Sequence, residues 1–127
     1  MIASTAASLV SRFIAANGEQ VIISRIIDAH PTPPKRVSTA PISAFVRNYR
    51  LEEIFPGSGI AQGDSLVSLP GDALDQMRQL QMPGGVTMNV PRKGDKIQIR
   101  GRERNIEGVA PISIGGSIVR IDLTVKG

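Results

Sequence analysis

The sequence predicts a mainly β protein: a small β-barrel or sandwich with an N-terminal α-helix and long loops. The core must be aliphatic, because the chain has only three Phe, one Tyr and no Trp, and Ile and Val favour strands. The C-terminal part alternates apolar and polar residues, and Gly/Pro turns separate short strands, a pattern typical of small barrels and sandwiches. With 127 residues, we expect a single domain over residues 1–127.

Residues 1–18 predict an amphipathic helix that ends at Asn17-Gly18 with a left-handed stop. Such a helix is marginal alone in water, so its apolar stripe should dock on its own domain. The run is also similar to a short signal peptide, but Arg12 interrupts it and no basic residue precedes it. The stripe consists of Ile2, Ala6, Leu9 and Phe13, with Val10 and Ile14 beside it.

Residues 19–51 predict two strands separated by an exposed loop. The first strand covers residues 20–27, and the second, extended segment covers residues 42–51. The loop at residues 28–41 contains the sequence HPTPPKR, whose three prolines cannot sustain a helix or a central strand. The predicted inner face of the second strand carries Ile42, Ala44 and Val46.

Residues 55–91 predict a turn region, a short strand and a second long loop. Glycines and Pro56 mark the turns at residues 55–63, and Gly63-Asp64 precedes the strand at residues 65–69. In the loop at residues 70–91, Asp72 could cap a short helix reaching Gln81, which PGG then ends. A loop of this length is typically functional or mobile.

The closing segment has the clearest strand pattern of the chain. Residues 96–100 alternate polar and apolar side chains, and Gly101 follows where a tight turn is expected. The return strand is predicted from about residue 104 to 109, with a second reversal at Pro111 and Gly115-Gly116. The last strand places four residues on one face: Val119, Ile121, Leu123 and Val125.

The residue types argue against an enzyme. The chain has no cysteine, which excludes disulfides, thiolate metal sites and a Cys nucleophile. His30 is the only histidine, and it lies in a predicted exposed loop without a nucleophile partner. The adjacent pair Glu52-Glu53 would point to opposite faces of a strand and could not share a proton. We therefore predict no catalytic activity, no cofactor and no metal, and no apolar stretch reaches the roughly 18 residues of a membrane span.

The net charge of +4 lies in one stretch, because residues 92–104 contain six basic and two acidic residues. Six positive charges could contact nucleic-acid phosphates, although no aromatic residue follows Met88 to stack on bases. Charged strand surface is the favoured interpretation, with a DNA site as the alternative. The candidate DNA-facing residues are Arg92, Lys93, Arg100, Arg102 and Arg104.

An ordered set of motifs resembles a known protein family. The segment PRKGDKIQIRG at residues 91–101 is followed by VAP at 109–111, by GG at 115–116 and by the alternating terminal strand. Upstream, AQGD at residues 61–64 supplies a second Gly-Asp step. In this order, the motifs resemble the small head-tail connector proteins of long-tailed bacteriophages.

The resemblance implies a head-closure, or stopper, protein of the virion neck, assembled in the host cytoplasm. Such a protein forms a homo-oligomeric ring between the portal and adaptor on one side and the tail terminator or tail tube on the other. A loop of each subunit projects into the channel and helps to retain packaged DNA, which requires no cofactor and no membrane. By resemblance, the candidate channel or partner-contact residues are His30, Pro33, Lys35, Arg36, Asp72, Met77, Gln81 and Met82.

Two other interpretations remain open at this stage. Another neck or tail component, such as an adaptor or tail terminator, could use the same small barrel. An independent nucleic-acid-binding barrel that uses residues 92–104 is the rival from a different functional class.

Overall fold

A computed structural model of the protein describes residues 2–28, 30, 32–80 and 90–127, and for residues 2–4 and 7 the backbone alone. The described chain contains seven β-strands, two α-helices and one short 3-10 turn. In order, these elements are α1 (Ile2–Asn17), β1 (Glu19–Asp28), β2 (Lys35–Ser38), β3 (Ile42–Asn48), the 3-10 turn (Leu51–Glu53), β4 (Ser65–Pro70), α2 (Ala73–Arg78), β5 (Lys96–Ile99), β6 (Arg102–Ile114) and β7 (Ser117–Val125).

Six of the strands form a closed antiparallel barrel. The strand order is β2-β1-β3-β4-β7-β6-β5, and a further pairing of β1 with β5 closes the ring of strands. Strand β2 is an extra strand that pairs with β1 outside the closed barrel. The predicted mainly β fold with an N-terminal helix is confirmed.

Strands β2 and β3 lie one after the other along the same edge of β1. Residues 19–21 of β1 pair with β3, and residues 24–28 pair with β2. Thr39 bridges the break between the two pairings. Its N–H donates to the carbonyl oxygen of Ile23 at 2.9 Å, and its Oγ1 accepts from the Ile23 N–H at 3.1 Å. A threonine thus maintains the edge of the sheet where the strand is interrupted.

The prediction of a loop at residues 28–41 is therefore wrong for residues 35–38, which form β2. Lys35 and Arg36 lie on β2 and pair with β1. The prolines of the HPTPPKR sequence all precede this strand, so they remove no N–H from its ladder. His30 and Pro33 lie in the short connection before it, and both are exposed.

Strand β6 runs through Pro111, where the sequence had predicted a reversal. Its first residues, 102–105, pair with β5, and the remainder pairs with β7. Ile106 still exchanges hydrogen bonds with Gly94 and Asp95. Beyond it, the side of β6 that faces β5 is an edge, and an edge tolerates a proline because that side of the backbone needs no N–H donor. The reversal at Gly115-Gly116 is confirmed: their φ values of 58° and 82° suit the two-residue turn that joins Ile114 to Ser117.

The barrel interior is aliphatic, as predicted. Strand β7 buries every second residue from Val119 to Val125, and Ile97 and Ile99 of β5 face the same core. Helix α2 covers one end of the barrel, because its Leu74 and Met77 belong to the core cluster.

Two predictions on the second loop are corrected. Met77 is 0% exposed, so it is a core residue and not a channel or partner contact. Helix α2 ends at Arg78, and Asp72 occupies the N-cap position without a side-chain capping hydrogen bond. Gln81 and Met82 lie outside the described residues.

Helix α1 lies on the outer surface of the barrel, against β3, β4, β6 and β7. Its orientation differs from the predicted stripe, since Ile14 is buried whereas Leu9 and Phe13 are 60% and 54% exposed. Gly18 does not take the predicted left-handed conformation. A Cβ at Gly18 would lie 2.4 Å from the carbonyl oxygen of Ala44, so close backbone approach requires glycine there.

The two ends of the barrel carry different elements. We define the upper end as the one at which β4 ends with Pro70 and β7 begins with Ser117. Two two-stranded ribbons extend past it, one from β1 and β2 and one from β6 and β7. Helix α2 lies beside the β6/β7 ribbon there. The lower end carries the β5–β6 turn and the 3-10 turn.

Candidate functional site

Two Gly-Asp turns with the same geometry brace the barrel, one preceding β4 and one preceding β5. Gly63 and Gly94 have φ values of 95° and 96°, and the aspartates that follow them are buried. The N–H of Asp64 donates to the Ala61 carbonyl and that of Asp95 to the Arg92 carbonyl, both at 3.1 Å. Each carboxylate also accepts the N–H of the residue three positions earlier, at 3.0 Å. The two motifs singled out in the sequence therefore fold into equivalent structural turns.

The Asp95 turn is fixed to β1 by a paired arginine at the upper end. Nε and Nη2 of Arg25 donate to Oδ1 and Oδ2 of Asp95, each at 2.9 Å. Nη2 of Arg25 also donates to the Val90 carbonyl at 3.2 Å. Both side chains of the pair are largely buried, with exposed fractions of 12% and 3%. This pair continues the contact between β1 and β5 beyond their last paired residues, Ser24 and Lys96.

The Asp64 turn is fixed to the end of β7 at the lower end. Lys126 Nζ and the Gly127 N–H donate to the Asp64 carboxylate, both at 3.0 Å. Arg104 joins the same cluster, because its Nε donates to the Lys126 carbonyl at 2.7 Å and its Nη2 to the Gly63 carbonyl at 3.0 Å. The cluster ties the start of β4 to the end of β7 and to β6.

The Asp64 cluster predicts a specific acid sensitivity. Burial raises the pKa of Asp64, but hydrogen bonds from the Ala61 N–H, Lys126 and the Gly127 N–H outweigh it and hold that pKa below its usual 3.8. A lowered folded-state pKa gives stability that is complete above the unfolded-state pKa and is lost as the pH falls through the folded value. We expect Asp64→Asn to flatten the pH dependence of the urea midpoint between about pH 5 and pH 2. Asp72→Asn, at an exposed position, is the control, and equal slopes for Asp64→Asn and the unsubstituted protein would refute the prediction.

The basic stretch is divided between the two ends of the barrel. Arg92 and Lys93 lie in the turn before β5, whereas Arg100 and Arg102 flank the turn after it. The four residues of β5 separate the two groups by roughly 13 Å along the strand. The charges predicted from the sequence as one patch are therefore two smaller groups.

Several of these charges already have partners. Nη2 of Arg100 lies 2.6 Å from Oε2 of Glu19, and Nζ of Lys93 lies 4.0 Å from Oε2 of Glu107. The Arg104 guanidinium donates to backbone carbonyls inside the lower cluster, so its assignment to a DNA-facing patch is corrected. Burial, together with the nearby Arg102 charge, lowers the pKa of Arg104. Arg92 and Arg102 are exposed and make no ion pair with the described residues.

The predicted loop contacts do not converge on one site. The His30 N–H donates to Asp28 Oδ1 at 3.0 Å, and Arg36 on β2 forms an ion pair with Glu103. Lys35 and Asp72 are exposed. Asp72 lines two shallow clefts beside α2, and neither of them includes His30, Pro33, Lys35 or Arg36.

An apolar groove beside α1 is the surface that sequence reasoning missed. This α1 groove, about 520 Å³ in volume, separates the helix from the outer surface of β3, β4 and β7. The Phe13 and Phe45 rings meet edge to face inside it, with centroids 5.4 Å apart. The sequence feature that indicates this groove is the wide apolar stripe of α1, which contains more apolar residues than the contact between α1 and the barrel requires. The apolar lining is Leu9, Val10, Phe13, Ile14, Phe45 and Leu66.

The sequence predicts the reversal at the β6/β7 hairpin tip, residues 113–117, but it does not identify the tip as a contact surface. All five residues are exposed. Ile114, the one large apolar residue among them, has an exposed fraction of 38%. No charged residue occurs from position 108 to position 119. An uncharged ribbon that extends beyond its barrel is typical of a contact element, since isolated solvent-exposed strands are otherwise rich in charge.

Neither a scan against protein-family models nor a search of curated proteins gave a match to the chain. Within the described residues, no group of three His, Asp or Glu side chains is arranged to hold a metal ion. No helix in that same part of the chain is long and apolar enough to cross a membrane.

Proposed function

We propose that the chain is a structural, non-enzymatic protein of a tailed-phage neck, a head-closure (stopper) subunit. In this role it forms a homo-oligomeric ring that joins the portal and adaptor to the tail terminator or tail tube and helps to retain packaged DNA. It works in the virion after assembly in the host cytoplasm, and it needs neither a cofactor nor a membrane.

One observation carries the proposal: the motifs that resemble the connector family are the parts that build the scaffold. Both Gly-Asp steps become turns with matching hydrogen bonds and a buried aspartate, one at each end of the barrel. The Gly115-Gly116 step forms the tip of the β6/β7 hairpin.

The buried ionisable groups also suit a scaffold. Asp64 and Asp95 are bound by Lys126, Arg25 and backbone N–H groups, so both carboxylates anchor the turns to neighbouring strands. A barrel braced in this way presents its ribbons rigidly, and rigid contact elements repeated around a ring add up to strong binding.

The upper end is the natural side for contacts with the channel or with a neighbouring ring. It carries the exposed His30 and Pro33 connection, the β6/β7 hairpin tip and the exposed residues next to α2. An adaptor or tail terminator remains the rival within the virion, and position in the particle separates it from a stopper.

The proposal predicts a defined assembly defect when the chain is missing. A nonsense mutation in its gene should yield DNA-packaging heads and finished tails that fail to join, with fewer infectious particles by several orders of magnitude. Supplying the chain in trans should restore joining, as should Arg102→Ala, because Arg102 is exposed and unpaired among the described residues. Electron microscopy of the lysate is the measurement.

Two outcomes would contradict the proposal. Normally tailed, infectious particles formed without the chain would exclude a neck role. The nucleic-acid-binding rival instead predicts tight, salt-dependent DNA binding by the isolated chain that Arg100→Ala and Arg102→Ala remove. If that binding were found and joining did not need the chain, the rival would replace the proposal.

A further inference from the structure

The described part of the chain exposes two apolar features on one rigid barrel, the α1 groove and the β6/β7 hairpin tip. We propose that the hairpin tip of one copy docks into the α1 groove of the next copy. This inference rests on the proposed ring and deepens it by naming the contact between neighbouring subunits.

The groove selects an apolar, uncharged occupant. Leu9 and Phe13 leave more than half of their surface exposed there. Together with Phe45 and Leu66 they form a contiguous apolar lining, and contiguous exposed apolar patches mark interaction sites. The charged side chains at its margin are neutralised, because Arg120 pairs with Asp122 and Arg47 with Glu53. A phosphate backbone would gain no attraction from such a surface, whereas an uncharged protein segment would lose no ionic hydration on entering it.

The hairpin tip matches this requirement in charge and shape. Residues 108–119 carry no charge, and Ile114 presents an exposed apolar side chain. Gly115 and Gly116 have no side chains, so the end of the ribbon is narrower than its flanking residues would make it. Pro111 lacks an N–H and discourages pairing of another strand along β6, which leaves side-chain docking as the mode of contact.

The tip and the groove of one copy cannot meet. Strand β7 carries both, since the groove includes Arg120 and Asp122 and the tip ends at Ser117. Pairing with β4 stops at Arg120, and the ribbon continues past the upper end, where Gly116 and Ser117 lie beside α2 and not in the groove. Only the groove of a second copy can therefore receive the tip.

Contact between two different surfaces of identical chains is heterologous, so it produces closed rings when the rotation between copies permits closure. A five-residue tip buries far less than the roughly 800 Å² per partner of a standard stable interface. A single contact should thus be weak, and closure of the ring should supply the remaining stability. The expected protein is monomeric when dilute and assembles when concentrated or placed on a partner ring.

Cysteine cross-linking tests this contact directly, because the chain has no cysteine of its own. We expect Phe13→Cys mixed with Ile114→Cys to form a disulfide-linked dimer on mild oxidation at high concentration, at least about tenfold more than either variant alone. The double variant should give a ladder of covalent multimers. The matched control is Leu51→Cys with Ile114→Cys, since Leu51 is 81% exposed but lies outside the groove.

The outcomes separate this inference from the proposed function. Equal yields of linked dimer from the control mixture and from the test mixture, or no cross-linking in assembled particles, would overturn the docking. If assembled particles give no cross-link but still contain the chain in their neck, the proposed function stands while the docking fails. Melting temperatures of the variants close to that of the original protein establish that folding is intact. Preferential linkage of the Phe13→Cys variant to a different virion protein would also overturn the docking.

Discussion

Asp95→Ala is expected to lower the free energy of unfolding by about 3–5 kcal/mol, the range found when one partner of a buried ion pair is removed. Asp95 holds Arg25 with two hydrogen bonds of 2.9 Å. Its loss would leave the buried Arg25 guanidinium without a counter-charge and the Arg92 N–H without its acceptor. The turn before β5 would then lose its attachment to β1, where the barrel closes.

Two comparisons make the prediction specific. Removing both charges with Arg25→Met and Asp95→Leu should recover much of the loss, because no unpaired charge stays buried. Glu107→Ala breaks the long, exposed pair with Lys93 and should cost less than about 1 kcal/mol. Urea denaturation provides the values. A cost for Asp95→Ala as small as that for Glu107→Ala would show that the pair does not brace the barrel.

Gly71→Ala is expected to destabilise the protein by about 3 kcal/mol, at the upper end of the usual cost of overpacking. A Cβ at Gly71 would lie 2.3 Å from the Ile118 carbonyl oxygen. The backbone cannot withdraw easily, because the Gly71 N–H donates to the Val119 carbonyl at 3.1 Å. The substitution should therefore separate the start of α2 from the β6/β7 ribbon.

Gly108→Ala is the matched control for this substitution. Its Cβ would meet only the Thr124 side chain at 3.5 Å, an ordinary contact, and Gly108 has no positive φ. We expect a change below about 1 kcal/mol for it, because Ala is at least as well suited to a strand as Gly. Thermal unfolding and amide exchange of β7 measure both variants. Similar effects of the two substitutions would mean that the close approach at Gly71 is not a constraint.

The strand pattern was predictable where one face of a strand is buried. The alternation from Val119 to Val125 and at Ile97 and Ile99 predicted their inward faces, and these predictions are confirmed. Such local periodicity records burial directly. It contains no information about which strands are neighbours, so the closure of β1 against β5 could not be read from it.

The errors have a common physical origin in long-range contacts. Arg25 and Asp95 are 70 positions apart, and Arg104 meets Gly63 across 41 positions, so neither role was visible in the local sequence. The local run of charges therefore assigned Arg104 to a basic patch, although its guanidinium binds backbone carbonyls.

The orientation of α1 was missed for a related reason. Its sequence offers two adjacent apolar stripes, one through Leu9 and Phe13 and one through Val10 and Ile14. Spacing alone cannot decide which of them packs on the barrel, because both satisfy helical periodicity. The structure buries Ile14 and leaves Leu9 and Phe13 at the groove. The surplus stripe is the observation from which the proposed contact between copies follows.

A reconstruction of the tailed particle that contains this chain, at side-chain resolution, tests the central claim most directly. The account predicts a ring of the seven-stranded subunit between the portal assembly and the tail. In that ring, the hairpin tip around Gly115 of each copy should lie against Phe13 of its neighbour. A neck whose density is filled by other proteins, with this chain elsewhere in the particle or missing from it, would contradict the account.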